Sequence, residues 1–569
     1  MTSQVQSFFE GKVMNHPAGL FVLFFTEMWE RFSYYGMRAL MVLFLTASLM
    51  DGGYGWEREN ALELYGFYTG LVYFTPLFGG MIADKVLGYK SAVVYGAFIM
   101  ALGHASLALE IPFFFYFGLL LLIIGNGLFK PNIASIVGQM YVNQDEKKDA
   151  AYTIFYMGVN AGAFFGILLC GYIGEKIGWG YGFGLAGIFM FFGMLQFYFG
   201  QGIYGSIGER PEKHIELKED DTHPVSRLRT PKIFQSSRLF QWLGVVVIIF
   251  VSIYIFLPAR EWMAPLIFAS VTGITGFIVS DPSLTRIEKD RVWVIFILAF
   301  FIIFFWWAFE QAGGSMTIFA RDYTDRVLTG GVAATFKFIN TLLTIVPLAI
   351  ITWVLFRLFN VTYRHYKLSN QFLGLSFVII WVIVIMMLAR EWKSEVTEVP
   401  ASWFGILNAF FIISFAPLFS RLWDARIITS GAVKFALGLF LLGLGFAVLS
   451  FGSIDIPQGA KTASVSMIFL ILAYLFHTLG ELCISPVGLS YVSKLSPVRL
   501  VGVMFGVYYI ANFVANWSAG KTGSYIDKIS EAYSMSTFFL IFTAIPIIAG
   551  VVMLLINKKL KKMMHGVDE

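Results

Sequence analysis

About sixteen stretches of this chain are each long and apolar enough to cross a lipid bilayer as a helix, and that repetition leaves few folds open. Inside hydrocarbon no water pairs with the backbone, so each segment must satisfy its own amide and carbonyl groups. The expectation is an all-α polytopic membrane protein. Composition agrees, with 57% hydrophobic residues, 14% charged residues and a mean hydropathy of +0.72 over 569 residues.

The net charge of +5 requires no nucleic-acid partner, because Lys and Arg gather between the apolar stretches. LGYK after the second span, RLFNVTYRHYK, RLWDAR and the C-terminal NKKLKKMMH read as cytoplasmic, and EWKSEVTEVP as external. Both termini then lie in the cytoplasm. The first dozen residues, MTSQVQSFFEGK, are polar, and the span that follows is too long for the core of a cleavable signal peptide. Cys170 and Cys483 sit in apolar stretches without metal-ligand spacing and read as free core thiols.

Six spans fill residues 1–205. A charged loop at about 206–237 and a pair of spans occupy 206–290, and the remaining spans fill 291–569. The 206–237 loop and Asp281–Arg291 read as solvated linkers. A second inserted pair at about 334–390 interrupts the last region. It carries no mid-span charge, only Lys337 and Arg357 near its ends, where both could snorkel to an interface. It is expected to pack on the outside of the C-terminal half.

The first span carries the chain's most informative charges. At 3.6 residues per turn, Glu27, Arg31, Tyr34 and Arg38 fall within about 60° of one another, and Glu30 flanks them. An ionised side chain at mid-membrane costs roughly 2.5–3.5 kcal/mol, so such a stripe must face partners or a hydrated cavity. Later spans add Lys130, Glu310 and Glu481. Four carboxylates against three cations leave one surplus acid. Burial raises a carboxyl pKa and a nearby cation lowers it, so a carboxyl that alternates between those surroundings can load and release a proton.

GGMIADKVLGYK, Gly79 to Lys90, is similar to the signature that the major facilitator superfamily carries between its second and third helices. EMWERFSYYG in the first span resembles the ExxER signature of the proton-dependent oligopeptide transporters, a family of that superfamily. GNGLFKPN at Gly125, FYMGVNAGAF at Phe155, WWAFEQAGGS at Trp306 and GELCISPVGLS at Gly480 resemble the family's fourth-, fifth-, seventh- and tenth-helix motifs, in order. The resemblance implies two six-helix bundles plus two inserted pairs, in a bacterial inner membrane. It implies import of di- and tripeptides by alternating access, coupled to protons, with no metal and no cofactor other than the coupling proton.

By the same resemblance, Glu27, Glu30, Arg31 and Lys130 form the proton-coupling cluster and Glu310 a second protonation site that makes or breaks a salt bridge at the outer gate. Arg38 and Lys130 would hold the peptide carboxylate, and Glu481, with Asn160 and Asn408, its amino end. The charge signs suit a zwitterion. Tyr34, Tyr35, Tyr73 and Trp306 would line a tolerant side-chain pocket. Two positions depart from the family. Gly66 aligns with a histidine of animal members, and Tyr508 stands where many members have Trp. His477, one turn before Glu481, reads as polar packing, and His104 is given no role.

The nearest competing reading is a carrier of another anionic or amphoteric solute, such as nitrate or a modified amino acid, and a transporter-derived nutrient sensor is a further one. Glu481 favours peptides, because a simple anion needs no carboxylate at an amino end. No nucleophile with a base, no phosphate loop and no paired His/Asp metal site suggests an enzyme. The partners expected are the peptide, protons and the bilayer, and the sequence sets no oligomeric state.

Overall fold

Small residues set how closely these helices pack. A computed structural model of the chain describes residues 8–142, 145–210, 237–256, 262–425, 430–497 and 500–567. In the first half, α1 (Ala18–Thr46) is buried along nearly its whole length, Glu27, Glu30 and Arg31 included. It lies against α6 (Asp145–Lys176), where Gly158, Gly162 and Gly166 recur every fourth residue. A Cβ on any of them would strike the α1 backbone, at Phe24, Met28 and Phe32. In lipid no hydrophobic drive pulls helices together, so this close approach and its dispersion contacts do so.

Helices α2 (Arg58–Phe74), α3 (Pro76–Ile82), α4 (Tyr89–Leu107), α5 (Pro112–Met140) and α7 (Trp179–Gly200) complete the half, with α4 packed between α5 and α7. A proline at the first position of α3 separates it from α2, so the second span is a broken helix. The second half contains α10 (Arg286–Phe309), α11 (Ser315–Asp322), α14 (Ile406–Asp424), α15 (Gly431–Gly452), α16 (Met467–Leu495), α17 (Val501–Gly523), the short α18 (Ile526–Ala532) and α19 (Met535–Met564). Gly438 of α15 and Gly480 of α16 approach each other as the α6 glycines approach α1. Among the described residues, eleven helices are long and apolar enough to cross a bilayer by those criteria alone. A tight turn at Glu310–Gly313 separates α10 from α11, so this span too is broken.

The inserted pairs sit in different places. The first, α8 (Ser237–Phe256) and α9 (Met263–Val279), lies beside α2 and α17, with Met263 and Ile267 packed against Phe513. The second, α12 (Gly330–Thr362) and α13 (Lys367–Lys393), does not lie on the C-terminal half as expected; it covers α7 and α1 of the first half. Phe377 packs edge-on to Phe25 and Trp29, Phe372 stacks on Phe199, and the Ser369 hydroxyl donates to the Gln196 carbonyl at 2.6 Å. Its roots stay with the second half, where β4 (Val327–Leu328) pairs antiparallel with β5 (Thr397–Glu398). Lys337 does not snorkel. It is buried and donates to the Ser394 carbonyl at 2.6 Å.

The Asp281 linker is also more ordered than expected. Asp281 is buried, lies 3.4 Å from Arg238, and accepts hydrogen bonds from the Ser283 amide and hydroxyl. Thr285 and Glu288 then form a capping box that starts α10. Most of the 206–237 loop, residues 211–236, lies outside the described residues.

Candidate functional site: charges between the two halves

The α1 stripe forms its own ion cluster. Arg31 Nε donates to Glu27 Oε1 at 2.8 Å and lies 3.0 Å from Glu30 Oε2. The other Glu30 oxygen accepts from the Asn126 amide of α5 at 2.9 Å, so Glu30 is held by a cation and a neutral donor together. Lys130, one turn beyond Asn126, does not join the cluster by direct contact. Its ammonium sits 4.2 Å from the centre of the Tyr73 ring, a cation–π contact, and has no ion pair among the described residues. The fields of Glu30, Glu27 and Glu310 all reach it. Tyr156 of α6, close to Glu27 and Arg31, is 52% exposed.

Two turns further along α1 lies the seam between the halves. Arg38 Nη2 forms an ion pair with Glu310, and Arg38 Nε donates to the Tyr65 hydroxyl at 2.6 Å. The break in the seventh span makes this possible. The turn at Glu310–Gly313 aims the carboxylate at α1, and a side chain on Gly313 would collide with Tyr65 and Arg38. Tyr34 and Tyr35 stack edge to face at 5.1 Å beside the pair, and Arg38 lies over the Tyr35 and Tyr65 rings.

Among the described residues, the polar contacts between the six-helix halves lie toward the face away from the termini, here the far face. Arg58 of α2 reaches Asp322 at 2.7 Å and Asp527 at 2.8 Å. Lys521 meets Glu63 at 2.6 Å, and Lys528 meets Glu59 at 2.7 Å. Glu175 at the end of α6 accepts the Ala401 and Ser402 amides, both at 2.9 Å. Between these ties α2 and α17 cross so closely that a Cβ on Gly66 would lie 2.5 Å from the Gly520 Cα. No histidine could stand there in this arrangement.

Glu398 of β5 ties Lys176 at 2.6 Å and Arg326 at 3.1 Å. Burial pushes its carboxyl up, but the Lys176 hydrogen bond and the charges of Arg326 and Lys176 outweigh that and hold it below its ordinary 4.5. Because the folded value is depressed, the link is present above the ordinary value and is lost only as pH falls through the lower one. Mild acidification leaves it closed.

On the second half, Glu481 Oε2 accepts from the Asn408 amide at 2.8 Å, and Asn408 also donates to Thr478 at 3.1 Å. Glu481 has no cationic partner among the described residues. Trp306 packs on Phe305 and Phe309. The Tyr508 ring is buried beside Gly488. Among the described residues, Asn160 donates to the Tyr156 carbonyl of its own helix and to none of the site's carboxylates. His104 and His477 are buried, His477 against the Phe446 ring at 4.4 Å, and both cysteines are free and buried.

The structure thus brings together Glu27, Glu30 and Arg31, pairs Arg38 with Glu310, and places Asn408 on Glu481. Lys130 and Asn160 stand apart from direct contact with these carboxylates. Three partners escaped the sequence reading. Asn126 and Thr478 each lie one helical turn from a named charge, a signal that i,i+4 spacing could have supplied. Tyr65 faces Arg38 from another helix, and nothing local marks it.

A model of the POT family matches residues 90–392 and 379–541 of the chain. The peptide transporter YePEPT of Yersinia enterocolitica is 31% identical, with 97% of this chain and 96% of that protein covered. A di-/tripeptide transporter of Lactococcus lactis subsp. cremoris is 28% identical over 98% of each chain. The crystal structure of a peptide transporter POT (E310Q mutant) in complex with alafosfalin superposes with a TM-score of 0.71 at 27% identity, covering 99% of this chain and 98% of that one. With the family model spanning most of its length and a relative of this identity aligned nearly end to end, the chain belongs to the POT family of multi-pass membrane transporters.

Proposed function

We propose that this protein is a proton-coupled symporter importing di- and tripeptides by alternating access, in the inner membrane of a bacterium. The observation that carries the reading is the Arg38–Glu310 pair across the seam. Arg38 is the natural seat for a peptide carboxylate, and here a carboxylate of the other half occupies it. A proton on Glu310 removes that competitor and frees the guanidinium for substrate. Deprotonation restores the pair and closes the seam.

Two further features support the reading. Glu481, held only by a neutral amide, offers an ammonium group the charge it lacks. The Glu27–Glu30–Arg31 cluster, with Lys130 nearby but unpaired, gives a proton a second place to act. The Lys/Arg bias makes the terminal face cytoplasmic. The far face is then external, and this arrangement is closed outside. The named relatives transport peptides, which favours this substrate class over nitrate or a modified amino acid.

Uptake of a labelled dipeptide into proteoliposomes, with and without an inward proton gradient, tests the proposal. Accumulation should require the gradient and collapse when it is dissipated. Gradient-independent equilibration would leave a facilitator, and binding without flux would leave a sensor.

A further inference from the structure

A cavity of about 540 Å³ lies outside the charged site, at the far face, where three parts of the molecule meet. Trp56 and Glu63 come from α2 and the turn before it, Trp517 and Lys521 from α17, and Trp262 from the N-terminal end of α9 in the first inserted pair. Tyr116 of α5 closes one side, with its ring 6.3 Å from that of Trp56. Tryptophans at this level mark the boundary between headgroups and acyl chains. The mouth opens among residues turned to lipid, since Tyr116 is 49% exposed, Trp262 45% and Phe268 59%.

The lining has two levels. Leu64, Phe67 and Met263 form an apolar floor toward the membrane centre. Glu63 and Lys521, paired at 2.6 Å, stand nearer the surface with side chains 39% and 31% exposed. A headgroup carrying an ammonium and a phosphate matches that pair charge for charge, the ammonium on Glu63 and the phosphate on Lys521. A free peptide would satisfy the charges but not the floor. A phospholipid, its headgroup on the charges and its acyl chain on the floor, would satisfy both.

We infer that this groove is a binding site for an aminophospholipid of the outer leaflet. The placement in the outer leaflet rests on the membrane orientation proposed above; the site itself does not. Its walls belong to both halves, so the complete site exists only while α2 and α17 are in contact. A ligand that binds one conformation favours it by mass action, so the lipid holds the far face closed.

The test uses the full-length protein in nanodiscs that contain either phosphatidylethanolamine or phosphatidylcholine with the same acyl chains. Lipid retention is read by native mass spectrometry. Contact is read by tryptophan quenching with phosphatidylethanolamine brominated near the head of the chain. Phosphatidylethanolamine should be retained in preference, and Lys521→Met should weaken that retention roughly tenfold, the loss of one charge-assisted contact. Leu64→Trp, which fills the floor and leaves the ion pair, should abolish retention and quenching while the protein stays monodisperse. It serves also if Lys521→Met does not fold. Equal retention of both lipids, or retention in Leu64→Trp equal to that of the unaltered chain, would overturn the assignment. So would displacement of the quenching lipid by a soluble dipeptide. None of these readouts depends on transport, so their failure is distinct from failure of the symport reading.

Discussion

Glu310, buried, and Glu481, half-buried, are carboxylates of the same half, held in opposite ways. Glu310 is tied across the seam to Arg38 of the other half, whereas Glu481 rests on Asn408 of its own half. One contact must break whenever the halves part, and the other can survive any rigid movement of them. The cation end of the site is therefore occupied and conditional, and the amino end stands ready. Coupling between gate and substrate belongs at Arg38; recognition belongs at Glu481.

The sharpest way to break that comparison is Glu310→Gln. Removing one partner of a buried ion pair costs roughly 3–5 kcal/mol, several hundredfold or more in an equilibrium. We expect gradient-driven uptake to disappear and far-face closure to weaken, read by the distance between spin labels placed on α2 and α17. If accumulation persists at its original rate, Glu310 is not the gate.

Glu27→Gln or Glu30→Gln probes the cluster confined to the first half. Either should abolish proton-driven uptake while counterflow exchange continues in part, because the seam pair is untouched. Parallel loss of both activities in a folded variant would assign the cluster a structural role.

A smaller effect is expected at the ready end. Glu481→Gln removes only an ammonium partner, worth roughly 1.5–3 kcal/mol, or about ten- to a hundredfold in affinity. Peptides with a free amino group should weaken by that factor and N-acetylated ones far less. Equal weakening of both would place the amino end elsewhere.

Much of this arrangement was legible in the sequence, for a physical reason. An ionisable residue in an apolar span is costly alone, so its presence announces an interior and a partner. Hence Glu27, Glu30, Arg31, Arg38, Glu310 and Glu481 could be named, and so could a salt bridge at Glu310. Which charge meets which was harder. Lys130 was expected in the same cluster, across the cavity from Glu30, and it is Asn126 on the same helix that meets Glu30 directly. The second inserted pair was misplaced because an apolar helix face matches lipid and protein almost equally well. Nothing in Phe372 or Phe377 says which half they will touch, and their chain neighbours pointed to the wrong one. Lys337 misled in the same way, since a carbonyl within the pair serves it as well as an interface would.

The smallest and most selective perturbation is Gly66→Ala. It touches no charge and no substrate contact, only the crossing of α2 and α17. The added Cβ would lie 2.5 Å from the Gly520 Cα, where one backbone meets another and neither can step aside as a flexible side chain would. Overpacking of this kind costs typically about 1–3 kcal/mol, and here the cost falls only on the arrangement in which the far face is closed. The variant should therefore keep its affinity for peptide carboxylate and amine but populate the far-open state roughly five- to a hundredfold more. A cysteine placed at the seam should then react faster with a membrane-impermeant thiol reagent added from that side, with Cys170 and Cys483 protected by burial. Unchanged labelling together with a loss of thermal stability would mean that the glycine serves assembly of the fold, and that closure is set by the polar ties between the halves instead.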